Sequence, residues 1–353
     1  MKETNIFKMG NNLTEFAHIP SVPIFEADTS FSPKVTIAIP TFKRADLLKE
    51  SLTSALKQIN YTNYDIIVVD NNNERGCETE QMMNLIQSSR ISYYKNTKNI
   101  GIVGNLNRLY SLAKGEYVVE LHDDDILYPD YLSIMMRFIE LTDEKYDVIF
   151  PKKITYNMKK SVVVPQRVKK FKFYKQDLKL RDFLWGNIIG SPLGMCVKRH
   201  SFLQNGGYNA DLFPSIDYDL FVKFTYRFKA CRISGLPLVI SRIEKNESCK
   251  TETLLKFIQN DSLIRKNILA IDKNPLLNPL WTRYNNLFVF QYLDMLAQLY
   301  QNKEIEISKE LRKMGFCYNI LDKIIYSFMN YYRNLSSRYR RLTYSNSKLD
   351  PTV

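Results

Sequence analysis

The sequence predicts an α/β protein: a doubly wound, mostly parallel central sheet with helices on both faces, plus a C-terminal helical extension. Three observations carry this. Short β-branched runs alternate with stretches of helical periodicity through the first half of the chain. Polar or acidic residues follow directly on three of those runs, where a parallel sheet presents the carboxyl ends of its strands to a ligand. From about residue 250 the apolar spacing is helical nearly to the end.

The elements follow in order. Residues 1 to about 33 read as an irregular lead-in closing on the turn-like "DTSFSPK". "VTIAIP", residues 35–40, is a β-branched run stopped by proline, hence a buried strand. "RADLLKESLTSALKQ" sets Leu47, Leu48, Leu52, Ala55 and Leu56 at helical spacing. "YDIIVVDNNN" is a second buried strand entering a polar turn, "ETEQMMNLIQSS" a second helix, and "ISYYKNTKNIG" a short strand and loop. "GNLNRLYSLAKG" is a third helix with Gly115 at its end. "EYVVELHDDD" is the next strand, and "PDYLSIMMRFIELTDE" a helix with Leu132, Met135, Met136 and Ile139 on one face. "YDVIFPKKITY" reads as more sheet, "GNIIGSPLGMCVKRHSFLQNGGYN" as loop, strand and turn, and "SIDYDLFVKFTYRF" as a helix with Leu220, Phe221 and Phe224 on its apolar face. No repeat of fixed period occurs. The expected division is a lead-in, 1–33, a main domain, 34–248, with halves 34–125 and 126–248, and a helical region with a basic tail, 249–353.

A chain of 353 residues, 45% hydrophobic, is ample for a large core. Its five cysteines are scattered without a CxxC pair, which implies reduced thiols rather than zinc or disulfides. No apolar run approaches the length of a membrane span, and "MKETNIFKMGNNLTEF" has no apolar core of a secretory signal. The expected location is therefore the cytoplasm. The net charge of +13 suits nucleic acid, an anionic membrane surface or phosphate-bearing substrates. Six basic residues and no acidic ones lie between Lys323 and Lys348, so part of the excess is C-terminal.

In "GEYVVELHDDDILYPDYL", an apolar run leads into Asp123, Asp124 and Asp125. Like charges about 4 Å apart repel by roughly 4 kcal/mol near a protein surface. Such a triplet is explained if a cation or a network of hydroxyls fills the space between the carboxylates. Hard oxygen ligands suit Mg²⁺ or Mn²⁺, which complete their shells with water and substrate phosphates. A solvated turn ahead of the helix after Pro129 is the competing explanation.

Four pieces in order turn the balance. They are "IPTFKR" after the first strand, "VVDNNN" after the second, "NIGIVGNLNR" at the third helix, and the acid cluster. Together they resemble a family 2 glycosyltransferase with the GT-A fold, of the bacterial surface-polysaccharide type, over roughly residues 35–245. The resemblance implies transfer of a sugar, with inversion, from a nucleoside diphosphate sugar, a UDP-sugar in the first instance, to a hydroxyl. It places Pro40, Thr41 and Phe42 against the nucleotide, Arg44 at its phosphates, and Asp70, with Asn71 beside it, at the base. Gly101 and Asn105 would let the next loop pass close to the nucleotide. Asp123 would hold the ribose, and Asp124, with Asp125, the metal. Many members carry an acid where this chain has His122, which could touch the ligand or simply pack. The implied general base is Asp217 in "SIDYDLF", with Ile216 where relatives have glutamate. Asp219, two residues on, must point elsewhere on a helix. A purely local role for Asp217 at its helix N-terminus stays open. In "LVISRIEKNESCK" the chain keeps Arg242 of an Arg-x-His pattern but has Glu244 for the histidine. A carboxylate can still ligate the metal, or the stretch is a surface loop. Trp185 could stack on an acceptor sugar or pack in the core.

The C-terminal stretch sets Phe316, Ile320, Ile324, Phe328 and Leu335 near one helical face, with Tyr331, Tyr332, Arg333, Arg338, Arg340 and Arg341 at the far end. That suits the surface of an anionic membrane, and the resemblance implies a lipid-linked glycan acceptor at the inner leaflet, for capsule or O-antigen, which would suit such a tail. A helix packed on the protein's own core is the alternative. Other classes fit less well. A phosphatase with an aspartate nucleophile needs a glycine and a hydroxyl that "HDDDIL" lacks, and a pyrophosphorylase needs glycines that "PTFKRAD" lacks. A nucleic-acid binder has no motif here, and a nucleotide-binding scaffold without transfer is the remaining alternative.

Overall fold

Val35, Ile37 and Ile39 point to one face of the central sheet and Thr36 and Ala38 to the other, the period-two consequence of an extended chain. Both faces are covered, which is why the run is apolar without alternation. The computed structural model describes residues 5–8, 10–28, 32–86, 88–157, 174–243, 251–272, 274–299 and 307–344. The first half runs β1 (Ser21–Phe25), β2 (Val35–Thr41), α1 (Ala45–Leu56), β3 (Tyr64–Asp70), α2 (Glu78–Leu85), β4 (Ile91–Asn96), α3 (Gly101–Leu112) and β5 (Tyr117–Glu120). There follow β6 (Ile126–Leu127), α4 (Tyr131–Leu141), β7 (Val148–Phe150), β8 (Lys153–Asn157), β9 (Tyr174–Asp177), β10 (Cys196–Lys198), α5 (Arg199–Asn205), α6 (Ile216–Arg227), β11 (Ala230–Ser234) and β12 (Val239–Ile243). Four helices close the chain: α7 (Thr251–Ile271), α8 (Asn278–Leu299), α9 (Ile307–Lys313) and α10 (Ile320–Tyr344).

Nine strands form one sheet in the order β1-β4-β3-β2-β5-β10-β7-β11-β9. The β4-β3-β2-β5 core is parallel, β11 is parallel to β7, and β1, β10 and β9 run antiparallel to their neighbours. The expected doubly wound, mostly parallel sheet is thus what forms. Helices α1 and α4 fill one face through Leu48, Leu52, Leu132, Met135 and Ile139. Helices α3, α5 and α6 fill the other through Leu106, Leu109, Phe202, Leu220, Phe221 and Phe224. A second sheet, β6-β12-β8, stands beside the carboxyl end of β5. The C-terminal helices join the same core: Ile264 and Ile268 of α7, Trp281 and Tyr284 of α8, and Met329 of α10 all belong to it. Trp185 packs edge-on against Trp281 and Tyr284, which settles it as a packing residue.

Three local expectations change. The lead-in is not wholly irregular: Ser21–Phe25 is an edge strand on β4. Its Pro23 is tolerated because an edge strand can hold a residue without an N–H. Ahead of it the chain is tied down by Ile6 N–H donating to Asn267 Oδ1 (3.1 Å), by Arg227 donating to the Phe7 carbonyl (2.8 Å), and by Arg108 donating to the carbonyls of Phe16 (2.8 Å) and Ile19 (2.6 Å). Gly115 does not cap α3, which ends at Leu112. It lies where a Cβ would sit 2.5 Å from the Thr36 backbone nitrogen, so close backbone approach requires glycine there. And the stretch read as loop, strand and turn contains the short helix α5. Among the described residues no helix is long and apolar enough to cross a membrane.

Candidate active site

Parallel β2, β3 and β5 bring Thr41, Asp70 and Glu120 to one edge of the sheet. Beyond Glu120 the chain turns sharply, with Asp125 N–H donating to the His122 carbonyl (3.2 Å) and Ser51 of α1 donating to the same oxygen (2.8 Å). This turn fans the three aspartates apart. Thr41 Oγ1 donates to Asp123 Oδ2 (2.8 Å), and Arg44 Nη1 reaches Asp123 Oδ1 (3.4 Å) and Asp124 Oδ2 (3.1 Å). Asp125 Oδ1 accepts from Arg242 N–H (2.7 Å). Arg242, on β12, also donates to the Asp124 carbonyl and to Glu50, while its Nη2 is buried without a partner among the described residues. The cluster's mutual repulsion is therefore met in part by the Arg44 guanidinium and by the Arg242 backbone N–H.

It is not fully met. Burial lifts the Asp123 carboxyl to about 6, and burial with the charge of Asp125 lifts Asp124. His122 lies between Glu120 Oε1 (3.1 Å) and Asp125 Oδ2 (3.4 Å). Burial opposes its charged form, but the hydrogen bonds to Asp125 and Glu120 prevail and hold the imidazole well above its ordinary range. His122, Asp124 and Asp125 each offer a ligand atom within 4.8 Å of the others. The two carboxylate oxygens, beside acids whose ionised form is disfavoured without a cation, fit Mn²⁺ or Mg²⁺. His122, left open in the sequence, lies within this group but, held charged with both ring nitrogens donating to Glu120 and Asp125, offers no lone pair to a metal. Glu244 lies outside the described residues.

Asp217 and Asp219 both open α6 and part company, as positions two apart on a helix must. Asp219 turns into the core and pairs with Lys223 (2.6 Å). Asp217 faces the charges of Glu120, His122 and Lys153, and makes no hydrogen bond among the described residues. Burial and the Glu120 charge raise its carboxyl to about 7, against the pull of His122 and Lys153. Lys153 enters from β8. Its ammonium donates to the Ile189 carbonyl (3.2 Å) and Ser191 Oγ (3.2 Å), and burial pushes it down to about 8 despite Asp217, Asp125 and Glu120. Glu120 is fully buried and accepts from the hydroxyls of Tyr110 (2.6 Å) and Tyr208 (2.7 Å). The sequence reading missed Glu120 and Lys153. Glu120 was legible as a second strand-end acid in "ELHDDD"; Lys153 reaches the site only through the second sheet.

The nucleotide-side residues divide. Phe42 is exposed beside the half-buried Pro40, at the end of β2 and next to the acid turn. Gly101 opens α3 at φ +72°, with open space around it. Asp70 corrects the expectation: it is fully buried, and its oxygens accept from Tyr93 OH (2.8 Å), Lys95 Nζ (2.9 Å) and Asn72 N–H (2.8 Å). Neither oxygen is open to a base. Asn71 and Asn105 are likewise internal. Asn71 bridges Asn99 Oδ1 (2.7 Å) and Ile100 N–H (3.0 Å), Asn105 donates to the Val69 carbonyl (3.0 Å), and Asn96 joins the two. These amides hold the β3 and β4 loops in shape rather than face a ligand.

The comparisons agree with this geometry. Residues 36–202 match Glycosyl transferase family 2. An uncharacterized glycosyltransferase of Rickettsia typhi is 26% identical over 86% of this chain and 93% of its own length. One of Rickettsia felis is 31% identical over 62% of this chain, which spans only 36% of that longer relative. A putative colanic acid biosynthesis glycosyl transferase of Escherichia coli, WcaA, is 31% identical over 30% of this chain and 37% of its own. Among solved structures, S. aureus TarS 1-349 in complex with UDP-GlcNAc aligns over 81% of this chain and 93% of that one, at 17% identity and a TM-score of 0.51. With the acid turn at the end of a parallel strand and the matched region spanning it, residues 36–202 form a family 2 glycosyltransferase region, on a fold similar to that of GT-A glycosyltransferases.

Proposed function

We propose that this chain is an inverting, divalent-metal-dependent enzyme of the hexosyltransferase type. It moves a sugar from a nucleoside diphosphate sugar, a UDP-sugar in the first instance, to a hydroxyl of a lipid-linked glycan, in capsule- or O-antigen-type polysaccharide synthesis. The observation that carries this is the pairing of two acid centres: the strand-end cluster, suited to a cation and phosphates, and Asp217, poised to accept a proton. Mn²⁺ or Mg²⁺ held by Asp124 and Asp125 would offset the charge of the diphosphate leaving group. Glu244, next in sequence after β12, is a further candidate ligand.

The chain's own residues do the rest. Phe42 and Pro40 offer an apolar surface to the base. Asp123, fixed by Thr41, accepts from ribose hydroxyls once Arg44 turns to the diphosphate, and Arg242 holds the acid turn in place. Asp217 takes the proton of the attacking hydroxyl as the donor bond breaks, and its raised pKa suits it to that task near neutral pH. A base at this site and a leaving group on the opposite side of the sugar give inversion. The binding of UDP-GlcNAc by TarS supports the uridine donor, and the putative place of WcaA in colanic acid biosynthesis supports a surface polysaccharide. In this reading 34–248 carries the chemistry, 249–353 supports it, and the enzyme works in the cytoplasm with peripheral contact to the inner leaflet. The test is a thermal-shift panel of nucleoside diphosphates with Mn²⁺, with Mg²⁺ and with chelator. A metal-dependent rise with UDP is expected, about 2.7 kcal/mol at a hundredfold excess over Kd. No shift with any nucleotide, in a folded sample, overturns the proposal.

A further inference from the structure

Helix α10 has two apolar faces, and only one of them is used. On the inner face Asp322 pairs with Arg283 (3.2 Å), Tyr326 stacks on Tyr284 at 4.9 Å, and Met329 enters the core. On the outer face Ile320 is 76% exposed, Ile324 59%, Phe328 62%, Tyr331 64% and Leu335 46%. These positions recur every three or four residues over a length of about 22 Å. Single exposed apolar side chains are ordinary, but a continuous stripe is not. The alternative of a helix buried on the protein therefore accounts for half of α10 and leaves its second face uncovered by any described residue.

We propose that this outer face lies in the headgroup boundary of an anionic bilayer, with the helix axis along the membrane plane. Two features select lipid over a protein partner. The stretch from Lys323 to Lys348 carries six basic residues and no acid in its sequence, and five of them, all but the Arg333 that stacks on Trp185, are left to complement an anionic leaflet. Tyr331 and Tyr332, both exposed, give the stripe the amphipathic ring character that sits at such a boundary. The lipid contact does not rest on the transferase reading.

The experiment is flotation of the full chain with vesicles of phosphatidylcholine alone and of phosphatidylcholine with phosphatidylglycerol. Binding to the anionic vesicles is expected. The double variant Ile324→Glu with Phe328→Glu is expected to lower the partition coefficient by about tenfold or more. Leu276→Glu, at an 81% exposed position between α7 and α8, is the control and leaves binding unchanged. All substituted positions are exposed, and an unchanged melting temperature and UDP-induced shift confirm that fold and donor site are intact. Vesicle binding that ignores the double variant overturns the proposal. So does absence of binding, and a dimer in sedimentation that the double variant dissolves would then assign the face to a second copy of the chain.

Discussion

Replacing Asp217 by asparagine is expected to stabilise the protein while abolishing its chemistry. Burial and the charge of Glu120 lift the Asp217 carboxyl to about 7, whereas an aspartate in an unfolded chain titrates near 3.9. Three units of difference correspond to about 4 kcal/mol against the ionised form. Asp217 is half-buried, so screening by water at the site reduces this to roughly 1–3 kcal/mol. Between the two pKa values the folded state holds a proton that the unfolded state has released. Stability therefore falls as pH rises across that window, and the full cost is present above about pH 7. Asparagine removes the titration. The variant should melt with the wild type near about pH 4 and above it by about 1–4 °C at about pH 8, for a chain of this size. Differential scanning across that range, with a parallel transfer assay, measures both halves. Transfer should fall about 10²–10⁴-fold, and wild-type turnover should rise with pH through about 7. A melting difference that does not change with pH would refute the buried-charge argument. Transfer within tenfold of wild type would refute the assignment of the base.

Three further outcomes are expected. Asp124→Ala should abolish the metal-dependent part of the UDP-induced thermal shift while leaving the melting temperature of the free protein near that of wild type. Lys95→Met strands the fully buried charge of Asp70 and should cost about 3–5 kcal/mol, read as a lower urea midpoint; adding Asp70→Asn should recover more than half of it. Gly115→Ala drives a methyl into the β2 backbone and should cost about 3 kcal/mol or more in the same measurement.

Where a residue's type alone carries the information, the sequence was readable. The β-branched runs of β2, β3 and β5 announced buried strands, and the acids after β5 announced a charged strand end. Helical geometry separated Asp217 from Asp219 before any coordinates. What stayed hidden depends on register and on contacts distant in sequence. Asp70 could be turned inward only by knowing that Lys95 of β4 stands opposite it. Asn71 and Asn105 look like ligand amides until Asn96 is seen between them. Lys153 comes to Asp217 from another sheet, and β1 is recognised only through its edge pairing with β4. For α10 the periodicity showed the stripe but not which way it faced.

The N-terminal segment carries a consequence for the order of assembly. Residues 6 and 267 are joined across 261 positions, while residues 21–25 pair with the rim of the sheet. During synthesis at about 5–20 residues per second, Ile6 and Phe7 leave the ribosome roughly 10–50 s before Asn267 exists to receive them. The sheet can form in that interval, and Phe7, Phe16 and Ile19 can dock on Arg227 and Arg108, but Ile6 has no partner until α7 is made. Completion of the fold waits on α7, and until then an apolar end stays open to chaperones. Translation speed through the last third of the message therefore bears on the yield of native enzyme.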